Sequence, residues 1–132
     1  MIVIDASALV ELLLNRPSGE RLASRLRERV EDLHAPHLID LEVAQALRRY
    51  QATGEMSLQR ARQALQAFAQ MPLERHPHWP FLDRIWDLRR NLTAYDGAYV
   101  ALAEALGAPL LTCDRALASA PGHRAKIELI EG

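Results

Sequence analysis

The chain has a single cysteine, a single lysine, six scattered glycines and only seven aromatic residues in 132 positions. Cys113 alone cannot form an internal disulfide or a paired-cysteine metal motif, and its place in "LLTCD" reads as a small buried strand residue, not a reactive thiol. The glycines fit neither a phosphate-binding loop nor a dinucleotide fingerprint, so ATP and NAD are not expected cofactors. No apolar run approaches the roughly 20 residues of a membrane span, and Met1 to Val10 carries Asp5 where a signal peptide would be basic. A cytoplasmic protein with no membrane contact is expected. The net charge of -1 lacks the signature of a strongly basic polyanion binder. Because Lys126 is the only lysine, almost every cation is arginine, which grips phosphate in a bidentate way. His34 and His37 in "HAPH" have no further motif ligands, so zinc is not expected, and His76 and His78 around Pro77 read as solvated loop residues.

What is present is a 49% hydrophobic chain whose apolar residues are ordered by period. That is enough for one compact core, and residues 1–132 read as a single domain without repeats or linkers. "MIVID" is a short apolar strand running into a helix in "ASALVELLLN". After Pro17, Ser18 is placed to cap a second helix to about Arg29, and "LHAP" forms a second strand. A helix from about Leu38 to Thr53 closes at Gly54, and Ser57 caps the next, with Leu58, Ala61, Leu65 and Phe68 along one face. "MPLERH" is a third strand, and "FLDRIWDLRRN" is helical. Thr93 caps a helix from Ala94 to Leu106 that ends at Gly107, with Tyr95, Tyr99, Leu102 and Leu106 as its buried stripe. "APLLTCD" and "KIELIE" supply the last strands, around a short helix from Arg115. Trp79 and Trp86 are expected in core or interface packing. Strands alternating with helices predict a three-layer α/β/α sandwich with a mostly parallel sheet.

Parallel sheets bind ligands beyond the carboxyl ends of their strands, where the strand order reverses. Asp5 ends the first strand and Asp114 follows the "LLTC" strand, so both belong on that rim. Asp96 lies in the first turn of the helix capped by Thr93. The helix after Pro36 offers Asp40 and Glu42 near its start, and periodicity does not choose between them. Singly, such acids are caps and turn formers. Together they crowd negative charge, which a hard cation such as Mg²⁺ or Mn²⁺ compensates. Asp83 and Asp87 read as surface partners of Arg84 and Arg90.

The segments "MIVIDASALVELLL", "APHLIDLEVAQALRR" and "LTAYDGAYVALAEALGAPLLTCDRAL" resemble those of PIN-domain ribonucleases, and specifically the VapC toxins of toxin–antitoxin modules. The resemblance implies a PIN-like fold over nearly the whole chain and a catalytic set of Asp5, Glu42, Asp96 and Asp114, favouring Glu42 over Asp40. Asp5 and Asp96 would ligate Mg²⁺, with Glu42 and Asp114 directly or through water. Ser7 and Thr112 match hydroxyl positions that support the acids. Implied partners are RNA, a VapB-like antitoxin and a second copy of the chain. A PIN-type nuclease for RNA processing or for structured DNA, with no antitoxin, is the alternative. Arg48 and Arg49 follow Glu42 by six and seven positions, about two helical turns, and at least one is expected at the crevice rim as an RNA contact.

Overall fold

In the computed structural model, residues 1–131 are described. The chain runs β1 (Ile2–Ile4), α1 (Ala6–Leu13), α2 (Pro17–Arg27), β2 (Leu33–Pro36), α3 (Ile39–Ala52), α4 (Leu58–Gln70) and β3 (Glu74–His76). A 3-10 turn at Trp79–Phe81 leads into α5 (Leu82–Asp87), followed by α6 (Ala94–Leu106), β4 (Leu110–Thr112), α7 (Arg115–Ser119) and β5 (Ile127–Leu129). The five strands form one sheet in the order β3-β2-β1-β4-β5. Every pairing is parallel.

That order decides where the helices go. From β1 the chain steps outward through β2 to β3, then crosses back over the sheet to β4 and steps outward to β5. Parallel crossovers are right-handed, so reversing the direction of stepping also changes the face. Helices α1 to α4 therefore cover one face and α5 to α7 the other, giving the expected α/β/α sandwich. Strand β1, at the centre, is apolar on both faces, with Ile2, Val3 and Ile4 fully buried. Helix α6 packs on β1, β2 and β4. Its seven consecutive buried residues, Gly97 to Ala103, are those of a helix enclosed nearly all round. Its caps are as the sequence predicts: Thr93 accepts from the Asp96 N–H, and Gly107 is left-handed at φ 60°.

Other expectations are corrected. Tyr95 is 67% exposed, because it sits on the outer side of the first turn of α6, before the helix dives beneath the sheet. On α4 only Ala64 and Phe68 are buried, whereas Leu58 and Leu65 face outward. Ser18 does not cap α2. The helix begins with Pro17 as its first residue, and the cap position is Arg16 without a side-chain bond. Of the core or interface packing expected for Trp79 and Trp86, the core half is excluded by exposures of 74% and 66%. Asp83 and Asp87 are exposed, and Arg84 instead makes a bidentate pair with Glu104 on α6, at 2.7 and 2.9 Å. His76 lies in β3 and bonds to His34, and His78 accepts from the Leu38 N–H, so neither is a free loop residue.

Candidate active site

Strand order reverses between β1 and β4, and the chain leaves these two neighbours toward opposite edges. The crevice at their carboxyl ends is where Asp5 and Asp114 emerge. Asp5 is anchored to β4 by its N–H bond to Leu111 O. Its side chain caps α1, with Oδ1 accepting from the Ala8 N–H at 3.0 Å and from the Ser7 hydroxyl at 2.7 Å. The Thr112 hydroxyl donates to Oδ2. Both hydroxyls are themselves held, since Ser7 Oγ accepts from the Cys113 N–H and Thr112 Oγ1 from the Asp114 N–H, each at 3.0 Å. Ser7 and Thr112 thus stitch the end of β4 to the carboxylate that ends β1.

Asp114 caps α7, its Oδ1 accepting from the Ala116 and Leu117 N–H groups at 2.9 and 3.3 Å. Glu42, in the first turn of α3, accepts from the Tyr99 hydroxyl through Oε1 at 2.7 Å. Asp96 stands in the first turn of α6. Of the two acids at the start of α3, Asp40 accepts from Arg75 Nε on β3 at 2.7 Å, and Glu42 turns toward Tyr99.

Electrostatics tie the acids together. Burial pushes the Asp5 carboxyl up to about 6, against the opposing pull of its hydrogen bonds, and the Asp96 charge adds to the rise. Glu42 is raised by burial and then by Asp96. Asp96 is raised by burial and then by Asp114. The Asp96 charge thus acts on Asp5 and Glu42, and the Asp114 charge acts on Asp96. Among the described residues, no three of the acids bring carboxylate oxygens within 4.8 Å of one another. A ring of acids that repel each other around an opening suits a hard divalent ion that keeps several of its waters. The donor set fits Mg²⁺ or Mn²⁺.

Beside the acids lies a cleft of about 670 Å³, with Ser7 and Glu42 on the shared edge and Glu11, Arg49, Tyr95 and Cys113 further along. Arg48 is not in this cleft. It lines a groove between α3 and α4 with Leu58 and Leu65, so the predicted arginine pair is split by the helical twist. Burial pushes the Cys113 thiol up to about 11, which leaves it protonated and unreactive at neutral pH. Two contributors were missed from sequence. The Tyr99 hydroxyl was legible in principle, because a buried tyrosine needs a polar partner and position i+3 from Asp96 shares its side of the helix. Glu11 lies on the cleft-facing side of α1, where it pairs with Arg16 at 3.4 Å.

The class that the fold defines is an all-parallel α/β/α sandwich with acidic residues at the switch point of its sheet. Residues 2–122 match the model of the PIN domain family. The chain belongs to this family, among its VapC ribonucleases. It is 47% identical over 130 residues to Ribonuclease VapC12 of Mycobacterium tuberculosis, covering 98% of this chain and 99% of the relative. Among solved structures, PAE2754 from Pyrobaculum aerophilum superposes with a TM-score of 0.69 at 24% identity, covering 96% of this chain and 81% of that one. A toxin–antitoxin complex from Klebsiella pneumoniae gives 0.68 at 18% identity, covering 99% and 98%. No helix among the described residues is long and apolar enough to cross a membrane.

Proposed function

We propose that this chain, as a single PIN domain, is a Mg²⁺-dependent endoribonuclease and the toxin of a toxin–antitoxin module, cleaving cellular RNA by attack of water on a phosphodiester. The observation that carries this reading is the placement of Asp5 and Asp114 at the carboxyl ends of β1 and β4 with Glu42 and Asp96 in the first turns of α3 and α6, electrostatically coupled through Asp96, an accumulation of negative charge that a divalent cation would offset. The ribonuclease name of its 47% identical relative supports the substrate class.

Asp5 and Asp96 would hold Mg²⁺ or Mn²⁺, with Glu42 and Asp114 completing the set directly or through water. Bound there, the cation supplies Lewis acidity that eases deprotonation of the attacking water and offsets charge on the phosphate. Ser7 and Thr112 hold the Asp5 carboxylate in place, and since Oδ1 already accepts from Ala8 and Ser7, Oδ2 keeps the lone pair a cation would take. Tyr99 occupies Oε1 of Glu42, leaving Oε2 to hold a water or accept its proton. The carboxylates need no covalent intermediate.

An antitoxin and a second copy of the chain are the proposed protein partners. Support for them comes from large apolar side chains left exposed, among them Leu41, Leu82 and Trp86, and from the toxin–antitoxin complex that shares the fold. The test is cleavage of end-labelled RNA by purified Asp96→Asn protein, which keeps side-chain shape but removes the charge. Cleavage should vanish with the fold intact by circular dichroism, and chelation of wild type should mimic it. Wild-type rates in the variant, against a mock preparation that excludes contaminating nuclease, would overturn the reading.

A further inference from the structure

Away from the crevice, three metal-capable side chains converge on the β2–β3 pair, at the sheet edge. The parallel register sets His34 opposite Glu74 and Pro36 opposite His76, so His34, Glu74 and His76 share one face. One ligand atom from each lies within 4.8 Å of the others. His34 Nδ1 is 2.9 Å from His76 Nε2 and 3.6 Å from Glu74 Oε2. Two nitrogens bound at about 2.0–2.1 Å to a tetrahedral ion stand about 3.3 Å apart, only a small adjustment from the spacing here.

The tautomer is already set. His34 Nε2 is 2.7 Å from Asp32 Oδ2, and an ionised carboxylate only accepts, so Nε2 carries the proton. In that tautomer Nδ1 offers its lone pair toward His76 and Glu74, and with 3% exposure the ring has little freedom to turn away. A carboxylate that fixes a histidine from behind is the usual support of a histidine ligand. We propose that His34, His76 and Glu74 form a binding site for a divalent transition ion of the zinc type, with Asp32 as the positioning residue and water in the fourth place. Two imidazoles and one carboxylate favour such an ion over magnesium. The site is not legible in sequence, where His34 has His37 as its near neighbour, because the β2–β3 register brings Glu74 and, from 42 positions away, His76 to it.

The ion would staple the edge strand β3 to β2. The same junction sets the start of α3, since His76 O accepts from the His37 N–H at 2.9 Å and His78 Nε2 from the Leu38 N–H at 3.0 Å. Stapling would thus stiffen the entry to the helix that carries Glu42, without touching the nuclease acids.

The test uses full-length protein without a histidine tag, stripped by chelator, titrated with Zn²⁺ by calorimetry and with Co²⁺ by visible absorption. One equivalent should bind to wild type and equally to the Asp5→Asn/Asp96→Asn double variant, with a saturable rise in Tm. Binding should be lost in His76→Gln and in Glu74→Gln, whose partly exposed positions spare the fold, and Asp32→Asn should weaken it about 10–100-fold. Absence of binding to wild type at micromolar protein would overturn the site and leave a hydrogen-bonded histidine pair. Binding that survives in folded His76→Gln, or that disappears in the Asp5→Asn/Asp96→Asn variant, would do the same by placing the ion elsewhere.

Discussion

At 6% exposure, Asp5 is the acid of the proposed site at which folding and the proposed chemistry conflict most directly. Between its ordinary value of 3.8 and its folded value of about 6, the native state keeps a proton that the unfolded chain has released. Stability contributed by this group therefore declines as pH rises through that window, and above about 6 the full cost of a buried charge is present. The rise from 3.8 to about 6 corresponds to roughly 3 kcal/mol. Asp5→Asn removes the charge but turns an N–H group toward Thr112, whose oxygen already accepts from Asp114, so part of the gain is lost. In metal-free protein the variant should be more stable than wild type by about 1–3 kcal/mol at neutral pH, with the difference closing as pH falls toward 4. Thermal melts of both proteins between pH 4 and 8 check this, and adding Mg²⁺ at neutral pH should stabilise wild type alone. The acids themselves were legible in the sequence because strand ends and helix starts can be located by period. The network that holds them was not, since the Tyr99 hydroxyl reaches Glu42 across 57 positions and Thr112 reaches Asp5 across 107.

The same division holds among the elements. Period and caps placed every strand and most helix limits, but not how one helix meets another. Gly19 illustrates this: the sequence puts it at the start of the second helix, but not that α2 crosses α1 there. A Cβ there would stand 2.0 Å from Glu11 O and 2.9 Å from the Leu12 Cα, both backbone atoms that cannot swing aside. Likewise the α3 start carries no side-chain cap of its own and takes one from His78, a partner local sequence does not advertise. Gly19→Ala sets a helix-propensity gain of about 1 kcal/mol against overpacking worth about 1–3 kcal/mol or more. With the obstruction in backbone, overpacking wins, and α1 can accommodate the methyl only by shifting. Since α1 begins at Asp5 and carries Ser7, that shift moves the crevice. Expected are a net loss of at least about 1 kcal/mol in denaturant unfolding and weaker Mg²⁺ binding in the same variant. Unchanged stability would mean that α1 and α2 do not approach this closely.

Over the whole molecule, charge is nearly balanced, so RNA attraction must come from where the arginines stand and not from their number. The acidic crevice repels a polyanion until a cation loads, which leaves nearby arginines to supply the grip. Two candidates adjacent in sequence part company in space. Arg49 lines the cleft that shares Glu42 and Ser7 with the acids, whereas Arg48 opens onto the apolar groove of α3 and α4. The sequence placed both about two turns from Glu42, but a rotation of about 100° per residue means that only one can follow its side of the helix. Both are exposed, so neither is required by the core. The prediction is an asymmetry, measured as RNA affinity against salt concentration in a folded, Mg²⁺-loaded variant made inactive at Asp114. Arg49→Ala should weaken binding and make the log–log salt slope shallower by about one unit or less, the effect of one lost phosphate contact. Arg48→Ala should leave both affinity and slope in place. Equal losses from the two would show that RNA spreads over the α3–α4 groove as well, and no loss from Arg49→Ala would remove the cleft from the RNA path while leaving the acid cluster as the site of chemistry.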